Sequence, residues 1–92
     1  MNIDKVPMVR VTWRDARDME TGWLDLKDII AAPLAVCQEV GWMVVNNDEK
    51  IVIMRSWCLD RDDNHGGGAI ALPKGWITKI EYLQVGHADV RN

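Results

Sequence analysis

The chain contains no phenylalanine, a single tyrosine, three prolines and two cysteines in 92 residues. Two cysteines, Cys37 and Cys58, are too few for a disulfide framework. Each sits within or at the end of an apolar run and reads as a reduced, partly buried thiol that behaves as a small hydrophobe. With His65 and His87 they make four nominal zinc ligands, yet no Cys-x-x-Cys or His-x₃-His spacing brings two of them together. No metal and no cofactor is expected. Long apolar runs are also missing: none approaches the ~20 residues of a membrane span. The opening Met1-Asn2-Ile3-Asp4-Lys5 lacks the charged and apolar regions of a signal peptide. The expected compartment is the cytoplasm, with no membrane partner. Finally, there is no basic run. Eleven Lys and Arg are scattered among 14 Asp and Glu, for a net charge of −3. Affinity for a phosphate backbone comes from neutralising several phosphates at once, so this composition disfavours long nucleic acid.

What the chain does have is five tryptophans and a strong hairpin signal. Residues 41–54 consist of two apolar runs, Gly41-Trp42-Met43-Val44-Val45 and Lys50-Ile51-Val52-Ile53-Met54, around Asn46-Asn47-Asp48-Glu49. Asn and Asp tolerate turn geometry and bond to their own main chain, so the four polar residues reverse the chain between two strands. Alternate strand residues point to opposite sides. Trp42 and Val44 therefore share one face and Met43 and Val45 the other, with Ile51 and Ile53 against Val52 and Met54 on the return. Both faces are apolar, so both need cover. In a domain this small, a second subunit is the expected source of the second cover, through the hairpin strands.

The remaining segments are short. Residues 6–13 alternate as a strand, with Val9, Val11 and Trp13 on one face, and Pro7 places its start at an edge. Residues 14–22 are charged, without period, and read as a loop. Residues 24–32 read as a short helix with Asp25 as N-cap and Leu24 and Ile29 placed for a hydrophobic staple, stopped by Pro33. Residues 34–40 form another strand candidate, with Gly41 a natural point to bend. The polar, glycine-rich stretch 60–68 reads as a mobile loop, residues 69–72 as a strand and 73–75 as a turn. Residues 76–85 read as a 3₁₀ turn leading into a last strand. This order predicts a mainly β fold: a small five- to six-stranded antiparallel barrel with one short helix, formed by residues 1–85 as a single domain, and a flexible tail over 86–92.

Residues 34–85 carry a resemblance. Gly41-Trp42-Met43-Val44-Val45, an acidic turn, Lys50-Ile51-Val52-Ile53, a glycine-containing linker and Leu72-Pro73-Lys74-Gly75-Trp76-Ile77 together resemble short phage and bacterial proteins with a Sm-like, SH3-type small β-barrel. The resemblance implies that barrel, a ring or other homo-oligomer, and ligand contacts from loops. The RNA-contacting signatures of Sm proteins are not reproduced: the turn lacks Asp-x-x-Met-Asn, and Lys74-Gly75-Trp76-Ile77 is one residue short of Arg-Gly-x-x-Ile.

Several residue sets were weighed as sites. Asp60-x-Asp62-x-Asn64 has the alternate oxygen spacing of a calcium loop, but His65 and Ala71 stand where an EF-hand needs Gly and Glu. Gly66-Gly67-Gly68 precedes a strand and has no following Lys-Ser/Thr, so it is not a phosphate loop. His65 is the best-placed acid–base group, without a partner identifiable in sequence. Trp13, Trp42 and Trp57 lie in apolar strands and read as packing. Trp23 and Trp76 follow glycines at segment starts, where an exposed indole could stack on a base, with Arg14, Arg17 or Arg55 near a phosphate. The sequence therefore favours a non-enzymatic binding module. Its expected ligand is a small nucleotide-like anion, such as a host-defence signal, bound by Trp23, Trp76, Arg14, Arg17, Arg55 and His65. An RNA-binding ring and an inhibitor of a host protein are the alternatives.

Overall fold

The computed structural model describes residues 2–60 and 64–90. Its first strand is β1 (Met8–Asp15), whose side chains alternate between core and solvent so that Val9, Val11 and Trp13 are buried. Pro7 lies just before it and has no amide to donate, but its carbonyl accepts a bond of 2.9 Å from the Met43 amide. After β1 come α1 (Leu26–Ile30), β2 (Ala35–Asn46), β3 (Lys50–Met54), β4 (Ser56–Trp57), β5 (Gly66–Gly67), β6 (Ile70–Pro73) and β7 (Ile77–Tyr82). The fold is mainly β, with a five-stranded antiparallel sheet ordered β6-β3-β2-β1-β7, a separate β4–β5 pair and one small helix. A 3₁₀ turn, Lys74–Trp76, joins β6 to β7. These two strands are the sheet's edges; no closed barrel is found among the described residues.

The expected hairpin is present, and its turn is built as its residues imply. The Asn47 side-chain oxygen accepts from the amides of Glu49 and Lys50 at 2.9 Å, and the Asn47 amide donates to the Lys50 carbonyl. The strands expected over 34–40 and 41–45 are one strand, β2. Its first part pairs with β1 and its last with β3, and Trp42 pairs with Met8 on one side and Met54 on the other. Between these two duties the strand must turn, helped by a register shift between Met43 and Val45. Because β2 and β3 lie inside the sheet, strand-to-strand association between copies would have to use β6 or β7.

All five strands feed one core of Val9, Val11, Trp13, Met43, Ile51, Ile53 and Leu72, with Cys37, Ile70, Ile77 and Ile80 packed against it. Ile51 and Ile53 are fully buried, each contributing about 1.5–3 kcal/mol by leaving water. The other face of the hairpin receives cover from within the chain at one end: the rings of Trp42 and Trp57 meet edge-to-face, 5.9 Å between centroids. Gly66 fits against Met54, where a β-carbon would lie 2.0 Å from the sulfur. The glycine triplet is thus pinned in part: Gly67 accepts from the Arg55 amide at 3.1 Å, and the His65 carbonyl accepts from the Cys58 amide at 2.8 Å. Cys37 and Cys58 are half-buried and not joined to each other.

The helix is shorter than the sequence suggested. Asp25 stands at its N-cap, but its side chain makes no capping bond, and no residue of α1 is buried. Ile29 is 47% exposed, so the staple with Leu24 does not bury it. Five residues fall well short of a self-supporting helix. The whole of residues 16–34 forms an arm off the β1–β2 end of the sheet, and the radius of gyration is 18.0 Å, against about 12 Å for a compact chain of this length.

On the outer face of β1 and β7, Arg10 makes two 2.8 Å bonds to the Glu81 carboxylate, with Lys79 3.6 Å away. The hydrogen bond from Arg10 is the main reason the Glu81 carboxyl lies below its usual 4.5, helped by the charges of Arg10 and Lys79 and opposed by partial desolvation. A carboxyl lowered in the folded state stabilises above its unfolded pKa and loses that contribution as pH falls through the folded one. Glu81→Gln is therefore expected to melt slightly lower than wild type at neutral pH, with the gap closing below about pH 4 as the carboxyl protonates and becomes as neutral as the amide. A gap that stays constant into acid would show that the ion pair contributes nothing.

Candidate functional site

The long β1 and the 3₁₀ turn meet at the base of the arm. Here Arg14, Asp15, Ala16, Leu34, Gly75, Trp76 and Thr78 line an open cleft of about 550 Å³. Each wall follows from local structure. Arg14 points outward because its neighbours Trp13 and Asp15 alternate to the other side of β1. Trp76 ends the 3₁₀ turn and is 44% exposed. It keeps an indole surface available to a ligand, whereas Trp13, which pairs across the strands with the next residue, Ile77, is buried. Asp15 is fixed from two sides, accepting from the Trp13 indole N–H at 3.2 Å and from the Ala16 amide at 2.7 Å. The Thr78 hydroxyl donates to the Thr12 carbonyl at 3.2 Å, which anchors β7 to β1 below the cleft. Among the described residues Arg14 forms no ion pair, so its guanidinium is available to an anion.

Of the six residues proposed from sequence, the fold brings only Arg14 and Trp76 together. Trp23 is fully exposed in the arm, and Arg17 is exposed nine residues before α1 begins. Arg55 sits at the other end of the sheet, 3.6 Å from Glu39, with its guanidinium nitrogen 2.7 Å from where a Gly68 β-carbon would stand. Gly68 itself has φ +63°, which suits glycine. His65 belongs to the β4–β5 pair. Asp15, Leu34, Gly75 and Thr78 were not singled out in sequence. The signal for Asp15 existed in the alternation that runs on past Trp13, but ending the first strand at Trp13 hid it.

The calcium-like pattern lies partly outside the described residues, which do not include Asp62 or Asp63; Asn64 accepts from the Trp57 indole N–H at 3.1 Å. No cluster of three metal-binding side chains occurs among the described residues. A second cleft, of about 480 Å³, lies between the first 3₁₀ turn (Ile3–Lys5), Met8, Trp42 and Leu83. It is mainly apolar, and its one charged lining residue is Asp4, so it offers an anion nothing. No helix among the described residues is long and apolar enough to cross a membrane. No protein family, curated protein or solved structure matches the chain.

Proposed function

We propose that the protein is a non-enzymatic binding module of the small-barrel, SH3/Sm-like kind, which holds a small planar anion of nucleotide type in the Arg14–Trp76 cleft. The observation that carries the reading is the pairing of a half-exposed indole with an exposed guanidinium in one cleft. Stacking on an exposed aromatic contributes ~1–3 kcal/mol per base, and a guanidinium forms short, charge-assisted bonds to phosphate. Asp15, with its carboxylate already oriented, can accept from a base or ribose donor. The barrel assignment is supported by the strand order, the register shift in β2 between Met43 and Val45 and the 3₁₀ turn between the two edge strands. The phage-like resemblance points to a nucleotide signal of host defence as the ligand, sequestered in the host cytoplasm by a self-associating protein.

The test is a melting-temperature screen with linear and cyclic nucleotides. A ligand present at a hundred times its Kd stabilises by about 2.7 kcal/mol, a rise of roughly 10–20 °C for a domain of this size. Trp76→Ala is expected to weaken that ligand about 10- to 100-fold, and Arg14→Ala to weaken it comparably while leaving the uncharged nucleoside unaffected. A screen with no shift removes the reading. Binding that falls steeply with salt and requires a long single strand would favour an RNA-binding ring instead.

A further inference from the structure

The arm and the neighbouring sheet face are complementary surfaces, neither covered by its own chain. On the arm, Trp23 is fully exposed, and Leu26, Ile29 and Ile30 of α1 are 70%, 47% and 77% exposed. Their spacing of three and four puts these three side chains on one helical stripe. On β2, Val36 and Val40 are exposed on the side away from the core with Gln38 between them, and Leu34 is exposed just before the strand. Arg14 and Arg10 flank this ridge, paired across the strands with Val36 and Val40. The arm over residues 16–34 holds Arg17 and Lys27 against Asp18, Glu20, Asp25 and Asp28, a charge opposite to that of Arg14, the flanking arginine that is not already bonded to Glu81.

We propose that two copies of this chain exchange arms, each laying Trp23 and the α1 stripe on the β2 ridge of the other. A second copy is the occupant that the arithmetic favours. A standard interface hides about 800 Å² on each partner, of which roughly 450 Å² is apolar. One indole and three aliphatic side chains supply on the order of 500 Å². The arm therefore carries enough apolar surface for a stable dimer by itself, and a two-fold pairing uses arm and ridge twice. The single chain is extended, 57 Å in its longest dimension. In this arrangement the arm covers β2 over residues 36–40, ahead of the hairpin turn.

The cleft at Arg14 and Trp76 adjoins the ridge through the shared Arg14 and Leu34. An exchanged arm would therefore wall one side of it. The inference takes from the preceding reading only that the protein self-associates, and its test does not depend on any nucleotide. Light scattering of the purified full chain across the micromolar range should return twice the chain mass. The double variant Ile29→Asp/Ile30→Asp, in residues that bury nothing within the chain, should weaken the dimer at least ~100-fold. Val36→Lys, on the receiving ridge, should do the same. Both should keep a cooperative melt and a wild-type circular dichroism spectrum. A wild-type chain that stays monomeric overturns the proposal, as does a dimer that survives either variant. A nucleotide-induced melting shift retained in a monomeric variant would uphold the ligand reading on its own.

Discussion

Trp13→Ala is expected to lower the melting temperature by about 15–30 °C, the largest effect of any single side-chain truncation in this molecule. Trp13 is 4% exposed and stands in β1, between β2 and β7, packed in the cluster that joins all five strands. Removing a buried indole typically costs about 3–5 kcal/mol, from lost transfer energy and from the cavity left behind. A domain of this size has only about 5–15 kcal/mol in total. The effect reaches the cleft as well, because the indole N–H is one of the two donors that fix the Asp15 carboxylate. Trp13→Phe separates the two roles. It restores most of the volume but not the bond, so its melting temperature should recover most of the loss while ligand affinity should remain altered. Thermal unfolding followed by circular dichroism checks the first part; an alanine variant melting within about 5 °C of wild type would contradict the core described here.

Gly41→Ala is expected to destabilise by about 2–3 kcal/mol, although glycine-to-alanine changes in unstrained sites usually stabilise by about 0.4–1 kcal/mol through the unfolded chain. The sign reverses because of what the new methyl would meet. A β-carbon on Gly41 would lie 2.5 Å from the Met54 carbonyl oxygen and 2.7 Å from the Ile53 Cγ2. The first is backbone of the paired strand and the second is a side chain with no exposure, so neither can yield without moving β3. Gly75 is the internal control. Nothing lies within 4 Å of a β-carbon there, so Gly75→Ala should melt at or slightly above wild type. Chemical denaturation of the two variants decides the point: equal midpoints would mean that β2 does not press on β3 at its bend.

The strands were legible wherever alternation was supported by turn chemistry. Val9, Val11 and Trp13 announced β1, and Asn47 announced the hairpin turn through the side-chain bonds it makes. The single long β2 was half legible: Gly41 signalled a bend, but whether a bend ends a strand or redirects it depends on partners that lie elsewhere in sequence. The β4–β5 pair was illegible because two residues are too few to show a period, and Gly66 owes its place to Met54, which is a tertiary fact. The helix misled for a related reason. Leu24, Leu26, Ile29 and Ile30 look like a stripe that should meet a core, yet within one chain they meet none. Of the site, composition identified Trp76 and Arg14 as candidates but could not rank them above Trp23 or Arg55. That ranking needed the pairing of β1 with β7, which draws the 3₁₀ turn up to the end of β1.

That same pairing also governs when the fold can form. β1 is flanked on one side by β7, and Leu83 donates its amide to the Met8 carbonyl at 2.9 Å, so the opening and closing strands of the sheet are neighbours. During synthesis, β1, β2, β3 and β6 can assemble as they emerge, but β1 keeps one bare edge until residues 77–82 have left the ribosome. Contacts that span most of the chain are slow to find, because the loop that must close is nearly the whole molecule. A nascent chain stalled before Ile77 would expose Val9, Val11 and the edge amides of β1 together, the combination that recruits chaperones or aggregates. The most vulnerable moment of this fold is thus set by topology, in the interval before β7 emerges.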